Sequence, residues 1–300
     1  MKPEGASRVV VPAGAPAELL EFLCARFPRI SSAEWQQRLI QGRVLDASHQ
    51  PFAPDARCSP GQVIYYFRQL AHEPPVPFEE QILFENEQLV VADKPHFLAT
   101  APVGCYIEQT LLRRLQRRLD LPQLTPAHRL DRLTAGVLIL CKRPQDRDAY
   151  QALFRQQQTE KVYEALAAPL PQLSFPHVRD SLIVNDDEYF FRSREVAGTP
   201  NSSTRIEVLA RHDEYWHYRL QPLTGRKHQL RLHMCALGAP ILGDDFYPQP
   251  QRRAPDDFSQ PLQLLARSLS FVDPVTGEHM HFESGRELQL HPLCSETTLC

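Results

Sequence analysis

Glycine is scarce in this chain, with 12 in 300 residues, and neither a G-x-G-x-x-G nor a phosphate-loop pattern occurs. Both patterns place backbone amides against the phosphates of a nucleotide, so their absence argues against the common nucleotide-cofactor folds. The seven cysteines form no C-x-x-C pair, so the sequence gives no sign of a zinc site or a disulfide framework. We therefore expect no nucleotide, redox or metal cofactor.

Long hydrophobic runs are also missing, and the first 14 residues contain no apolar core of signal-peptide length. Because a membrane span requires about 18 consecutive apolar residues, we expect a cytoplasmic protein without membrane contact. The formal net charge is only −3, so the chain as a whole does not attract a polyanion. Binding of a nucleic acid would have to come from local clusters of basic side chains.

The most informative segment runs from Pro126 to Lys142 and has the sequence PAHRLDRLTAGVLILCK. It places Asp131 between Arg129 and Arg132, shortly before an apolar run from Val137 to Leu140 that predicts a buried strand. Two guanidiniums within two residues favour an ionised, hydrogen-bonded carboxylate, which suits a nucleophile. The alternative is that Asp131 merely closes a turn through an ion pair, which is the commoner role of such an aspartate.

Three motifs, in the same order, resemble those of the RluA-type pseudouridine synthases. HRLDRLTAG at 128–136 resembles the family signature HRLDxxTSG, and KVYEAL at 161–166 resembles the K-x-Y element. The segment LTGRKHQLRLHMCALGAPILGDDFY at 223–247 resembles TGRxHQxRxHxxxLGxPxxGDxxY. The resemblance covers about residues 78 to 285 and departs mildly at three positions outside the catalytic ones, namely Ala135, Ala266 and Asp273.

The resemblance implies an isomerase that converts specific uridines of ribosomal or transfer RNA to pseudouridine. It implies that Asp131 is the nucleophile, that Tyr163 stacks on the target base and mediates proton removal, and that Arg231 orients and ionises Asp131. By family analogy, Arg129 fills the place vacated by the extracted base. Three routes stay open for Asp131: attack on C1′, addition to uracil C6, or elimination toward a glycal.

A basic cluster forms the N-terminal end of the helix predicted from Arg226 to Leu237. The helix dipole repels cations at this end, and an incoming phosphate would reverse that cost by meeting both amides and cationic side chains. In the alternative interpretation, these side chains pair with Asp244 and Asp245. The candidates for RNA contacts in the catalytic region are Arg129, Arg132, Arg226, Lys227 and His228.

The first part of the chain resembles a small S4-type RNA-binding domain over residues 15 to 70. Two helices are predicted, Ala17 to Phe27 and Ser31 to Gly42, and the second begins with a capping box. Arg38 and Arg43 lie near the end of the second helix and are candidate phosphate contacts, although such arginines can equally be a solvated helix face. A proline-rich segment after His72 predicts the linker, giving domains 1–72 and 73–300.

For the second domain we expect an α+β fold, with a mixed, mainly antiparallel sheet, flanking helices and a central catalytic cleft. Predicted strands include 189–194, 204–211 and 215–222, and the basic helix at 110–119 is expected to turn its arginines to water. We expect a monomer whose partner is RNA. One rival function is an inactive RNA-binding or ribosome-assembly factor on the same fold. The other is a metal-dependent hydrolase that would use HRLD and the histidines. His279 and His281 share one face of a predicted strand and could bind a metal, but without a third ligand we favour solvated histidines.

Overall fold

The computed structural model describes residues 3, 6–28, 30–67, 73–104, 106–189, 191–251, 253–254 and 256–288. The chain falls into two compact units, Met1–His72 and Glu73–Cys300. Within the described ranges, none of the helices combines the length and the apolar character that a membrane span needs.

The first unit combines a three-stranded antiparallel sheet, in the order β1-β3-β2, with two helices. Ser31 caps the second helix and forms the predicted capping box with Glu34. Trp35 on that helix is fully buried and packs on Phe27 and Tyr66 with ring centroids 5.5 and 5.3 Å away, so the helices and the sheet share an aromatic core. The elements are β1 (Ser7–Val10), α1 (Leu19–Arg26), α2 (Ser32–Ile40), β2 (Val44–Leu45) and β3 (Val63–Tyr66).

The two arginines singled out in this unit differ in accessibility. Arg38 is 5% exposed, and its guanidinium lies 4.8 Å from the centre of the Trp35 ring. This position indicates a packing role and does not support the phosphate contact expected of Arg38. Arg43 is half-buried at the turn that leads into β2.

The second unit is built on an 11-stranded sheet, which is mainly antiparallel as predicted. Its main path is β10-β9-β11-β12-β8-β13-β7-β5-β4, with β14 beside β13 and β6 beside β7. One pair, β13 with β7, is parallel. The strands are β4 (Gln81–Glu85), β5 (Leu89–Lys94), β6 (Thr125–Pro126), β7 (Ala135–Cys141), β8 (Thr159–Ala167), β9 (His177–Asn185), β10 (Ser193–Val196), β11 (Ser202–Arg211), β12 (Trp216–Pro222), β13 (Leu264–Val272) and β14 (His279–Glu283).

Three helices accompany this sheet: α3 (Leu111–Leu119), α4 (Arg147–Arg155) and α5 (Gln229–Ala236). The expectation that the arginines of α3 simply face water is wrong for Arg114. Its guanidinium donates to the carbonyl oxygens of Val76 and Phe78 at 2.6 and 2.7 Å and lies 3.5 Å from the Glu80 carboxylate. Arg114 therefore anchors the segment that leads into the sheet.

Two strands differ from the sequence prediction. The strand expected at 189–194 begins only at Ser193, because the backbone amides of Glu188 and Tyr189 donate to the Asp186 carboxylate and form a turn. Strand β9 was not predicted. In its sequence, HVRDSLIVN, the apolar residues are one valine and a run of three, so no period-two alternation of apolar and polar residues indicates a nine-residue strand.

A close backbone contact at Gly136 fixes the centre of the sheet. Gly136 has φ +113°, and a Cβ built there would lie 2.2 Å from the Ala266 carbonyl oxygen of β13. Only glycine permits both the conformation and the approach. All seven residues of β7 are buried, so the turn that carries Asp131 is attached directly to the core.

Candidate active site

A cavity of about 340 Å³ lies where the turn before β7 meets β8, the end of β12 and the start of α5. Its volume falls in the range of about 300–1,000 Å³ that is typical of small-molecule sites. Residues from all three family-like motifs line it, although they lie up to a hundred residues apart in the chain. Of the residues singled out from the sequence, the lining includes Arg129, Asp131, Tyr163, Arg226, Lys227, His228 and Arg231.

The turn that carries Asp131 is held from behind by side chains that precede α3. The buried ammonium of Lys94 donates to the Arg132 carbonyl oxygen at 3.3 Å. The Thr100 hydroxyl donates to the Leu130 carbonyl oxygen at 2.9 Å and accepts from the Leu130 amide at 3.2 Å. The residues on both sides of Asp131 are thereby fixed, so the position of its carboxylate is set before any ligand arrives.

His128, the first residue of the HRLD motif, stabilises the fold and does not line this cavity. Its Nε2 accepts a hydrogen bond from the Ile139 amide at 3.2 Å, and its ring stacks on Phe154 with centroids 4.2 Å apart. Burial lowers the pKa of His128 to about 3, so the ring is neutral and can accept this bond at neutral pH.

Arg231 is buried at the wall of the cavity and contacts three carboxylates. Its Nε and Nη2 donate to the two oxygens of Asp244 at 2.7 and 2.6 Å, forming a bidentate pair. Nη2 also donates to Asp245 at 3.0 Å, and Nη1 lies 3.4 Å from Oδ2 of Asp131. The structure thus places Arg231 beside Asp131, but its shortest contacts go to Asp244.

The Asp131 carboxylate lies at this cavity, with a side chain that is 22% exposed. Burial alone would raise its pKa, but nearby cationic groups outweigh burial and hold the pKa below the ordinary value. Burial lowers the pKa of His228 to about 4, so His228 is neutral at pH 7. At neutral pH, Arg231 and Arg129 therefore keep Asp131 ionised.

Tyr163 lies on β8 between Leu220 of β12 and Ala266 of β13, with its ring at the cavity. Burial, with a smaller contribution from the Asp131 charge, raises the pKa of its phenol. The phenol therefore stays protonated at neutral pH. Its position suits stacking on a planar ligand, and a role in proton removal stays a prediction.

The basic cluster forms the rim of the cavity, but it precedes α5 and is not part of its first turn. The helix begins at Gln229, and His228 before it adopts φ +57°. Arg226 and Lys227 are exposed, and the Arg226 Nε donates to the Asn201 carbonyl oxygen at 3.0 Å. Asp244 and Asp245, the partners that the alternative interpretation gives this cluster, both bind Arg231.

Arg132 points away from this cavity. Its guanidinium lies 5.3 Å from the Tyr106 ring centre and 5.8 Å from that of Phe97, and Nη1 donates to the Tyr106 hydroxyl at 3.3 Å. Arg132 lines a second cavity of about 380 Å³, and Arg129 lines both. Of the two arginines beside Asp131, Arg129 lines the cavity that contains Asp131 and Arg132 does not.

Metal-ligand geometry is not formed by the part of the chain that the structure describes. No group of three or more His, Cys, Asp or Glu side chains there is arranged to hold an ion. The His281 ring instead bonds through Nδ1 to the Ser270 hydroxyl at 2.8 Å. The three converging ligands that the hydrolase interpretation needs are not found among these residues.

Sequence reasoning missed two supporting residues of the site. Asp244 was considered only as a partner of the rim cluster, and Thr100 was not considered at all. Asp244 could have been found from the family-like GDD run at 243–245. Thr100 gave no comparable signal, because its contact with Leu130 crosses thirty positions of the chain.

Comparison with known proteins agrees with the three motifs. The family model described as RNA pseudouridylate synthase matches residues 88–236. The dual-specificity RNA pseudouridine synthase RluA of Haemophilus influenzae is 31% identical over 72% of this chain and 97% of its own length. An uncharacterized RNA pseudouridine synthase of Synechocystis is 30% identical over 76% of this chain and 79% of its own length.

Two solved structures are similar as well. Human RNA pseudouridylate synthase domain containing 1 has a TM-score of 0.57 and 25% identity, and the match covers 72% of this chain and 86% of that one. Human RNA pseudouridylate synthase domain containing 4 has a TM-score of 0.54 and 28% identity, over 69% of this chain and 88% of that one.

Proposed function

This chain belongs to the RluA-type family of RNA pseudouridine synthases, and from that premise we propose that it isomerises specific uridines of ribosomal or transfer RNA with Asp131 as the nucleophile. One observation supports this assignment above the others. The ionised carboxylate of Asp131 faces a cavity between Tyr163 and Arg231, in the arrangement that the family resemblance implies.

The reaction breaks the N1–C1′ bond of uridine and joins C5 to C1′. A carboxylate that is fixed, ionised and open to the cavity suits attack on the nucleoside, and the Tyr163 ring offers a face for the uracil. The target base must first leave its stack, at a cost of a few kcal/mol. Arg129, exposed at the mouth of the cavity, is placed to occupy the gap left in the RNA.

RNA binding is assigned to basic side chains around the mouth of the cavity and to the first unit. Arg129, Arg226 and Lys227 are exposed at the rim, where phosphates of a bound strand would pass. In the first unit, Arg43 is the better candidate, because Arg38 is buried against Trp35. Arg132 contacts aromatic rings and would reach RNA only through the second cavity.

The assignment of Asp131 is tested by the substitution Asp131→Asn, which keeps the size of the side chain and removes its charge. The substrate is total RNA labelled with tritium at uracil C5, taken from source cells that lack this gene, and tritium release reports turnover. Asp148→Asn on α4 is the matched control, since Asp148 is 87% exposed and lies outside the cavity.

We expect no release above background from Asp131→Asn, with RNA affinity and thermal unfolding close to those of the wild type. Release at a rate comparable to that of the wild type would refute the nucleophile assignment. If the wild type itself binds RNA without releasing tritium, the chain is a binding or assembly factor on the same fold.

A further inference from the structure

His228 is a buried histidine at the wall of the active-site cavity, with a side chain that is 6% exposed. Its backbone adopts φ +57°, in the left-handed region that non-glycine residues seldom occupy. Left-handed residues other than glycine cluster at active sites, where the surrounding structure holds them in place. This backbone conformation places the ring between Tyr247 and Asp131, with Nδ1 next to Tyr247 and Nε2 next to Asp131.

The hydrogen bonds of Tyr247 determine which nitrogen of the His228 ring bears the proton. The Tyr247 hydroxyl has one hydrogen, and it donates this hydrogen to the Ser193 carbonyl oxygen at 2.9 Å. The same oxygen accepts from the Ser193 amide at 3.0 Å and lies 3.2 Å from Nδ1 of His228. Because the hydroxyl hydrogen is already used in the contact with Ser193, we assign the ring proton to Nδ1, which then donates to Tyr247. The neutral ring then has its lone pair on Nε2.

The Nε2 atom lies 3.6 Å from Oδ2 of Asp131, and both residues line the cavity. This distance is longer than a hydrogen bond, which agrees with a lone pair, and not an N–H group, opposite the carboxylate. Burial keeps the ring neutral at pH 7, while the Asp131 charge stabilises the imidazolium that would form on proton uptake. An unprotonated imidazole nitrogen beside the nucleophile has the form of a general base.

We propose that Nε2 of His228 is the base that takes the proton from C5 of the rearranged uracil. This inference rests on the proposed isomerase activity and adds a catalytic residue to it. Tyr163, to which the family resemblance gives proton removal, is protonated at neutral pH and has no free base to offer. His228, Tyr163 and Asp131 line the same cavity, so a uracil bound there would lie beside all three side chains.

Proton removal follows the formation of the new glycosidic bond. After C5 has bonded to C1′, the C5–H bond breaks and its proton moves to Nε2 of His228. The electron pair of that bond becomes the C5=C6 double bond, and the pair of the C6=N1 bond moves to N1, which takes a proton from water. The imidazolium pairs with Asp131 and then gives its proton to the resulting hydroxide, so that the enzyme returns to its starting state.

The test is the substitution His228→Asn. The asparagine amide nitrogen takes the place of Nδ1 and can still donate to Tyr247, and asparagine tolerates a left-handed backbone. The nitrogen facing Asp131 is lost. His281→Asn is the matched control, because His281 also bonds through Nδ1, to Ser270, and it lies on β14 outside the cavity.

Single-turnover formation of pseudouridine is measured on the same total RNA, prepared with hydrogen or with deuterium at uracil C5. We expect His228→Asn to be slower than the wild type by about 10²- to 10⁴-fold, with an unchanged affinity for RNA. We also expect a larger C5 isotope effect, because removal of the C5 proton becomes rate-limiting. A purely structural loss, which would slow cleavage of the N1–C1′ bond, would not raise the isotope effect.

A rate within threefold of the wild type, or a slow variant whose isotope effect is no larger than that of the wild type, would overturn the proposal. If His228→Asn does not fold, the same two measurements are made on His228→Gly, since glycine accepts φ +57°. A wild-type protein without turnover would instead refute the proposed function, so the two failures are distinguishable.

Discussion

We expect the substitution Asp244→Asn to slow the proposed reaction through Arg231, and not through a contact with the substrate. In the native protein, Asp244 binds Arg231 through both oxygens at 2.7 and 2.6 Å, and both side chains are at most 2% exposed. Asparagine keeps one acceptor oxygen, removes the charge and offers an amide where an acceptor is needed. Because Asp131 and Asp245 still surround Arg231, the buried cation is not left alone.

The substitution removes one of the two hydrogen bonds that Arg231 donates to Asp244. Loss of a hydrogen bond to a charged group costs about 1.5–3 kcal/mol, so the free energy of unfolding should fall by about 2 kcal/mol. Arg231 would then move toward Asp131, which it now contacts at 3.4 Å. Since a displacement of about 1 Å in an active site can cost about 10²-fold in rate, we expect a similar loss in the single-turnover rate.

Two assays separate these effects. Chemical denaturation gives the free energy of unfolding, and single-turnover kinetics at saturating protein gives the rate. Asp245→Asn is the comparison variant, because Asp245 makes one 3.0 Å contact with Arg231 and should cost less in both measurements. An Asp244→Asn protein with wild-type rate and stability would show that Arg231 does not depend on Asp244 for its position.

Two further predictions concern the first unit and the sheet. Deletion of residues 1–72 should weaken RNA binding and make its salt dependence shallower, by a slope of about 0.7–0.9 per lost phosphate contact. The single-turnover rate at saturating protein should be retained. An unchanged affinity and salt slope would mean that the first unit does not contact RNA. Glu164→Gln should lower stability at neutral pH, because Glu164 accepts from Arg267 at 2.8 Å and from His217 at 3.0 Å. Burial opposes ionisation, but these partners lower the pKa of Glu164 to about 2, against 4.5 ordinarily. Its stabilisation is therefore complete above about pH 5 and lost as the pH falls toward 2, so the stabilities of wild type and variant should converge in acid.

Local patterns in the sequence were sufficient for much of the fold. The capping box at Ser31 and the apolar run at Val137 are short-range signals, and the structure contains the corresponding helix and strand. Strand β9 was missed because its own sequence shows no strand pattern, and the strand is stabilised by pairing with β11. The prediction that Asp131, Tyr163 and Arg231 lie close together came from the family resemblance and not from a local sequence pattern.

What the sequence could not supply is the ranking of contacts around a shared cation. Arg231 was expected to pair with Asp131. The two side chains are 3.4 Å apart, but Arg231 lies closer to Asp244, at 2.6 Å. Nothing in the spacing of Asp244 from Arg231 indicates a bidentate contact, since a helix end and a glycine turn separate them. Gly243 allows that turn at φ +76°, where a Cβ would lie 2.3 Å from the Pro261 carbonyl oxygen.

The division of Arg231 among three carboxylates supports the proposal that Asp131 is an ionised nucleophile. A bidentate guanidinium pair satisfies both carboxylate oxygens and would occupy the lone pairs that a nucleophile needs. Asp244 accepts that bidentate contact, which leaves one Arg231 contact of 3.4 Å for Asp131. This contact helps to lower the pKa of Asp131 and involves one oxygen of its carboxylate, Oδ2. In the proposed reaction, Asp244 would therefore act by restraining Arg231, and its substitution should slow turnover even though Arg231 would come closer to Asp131.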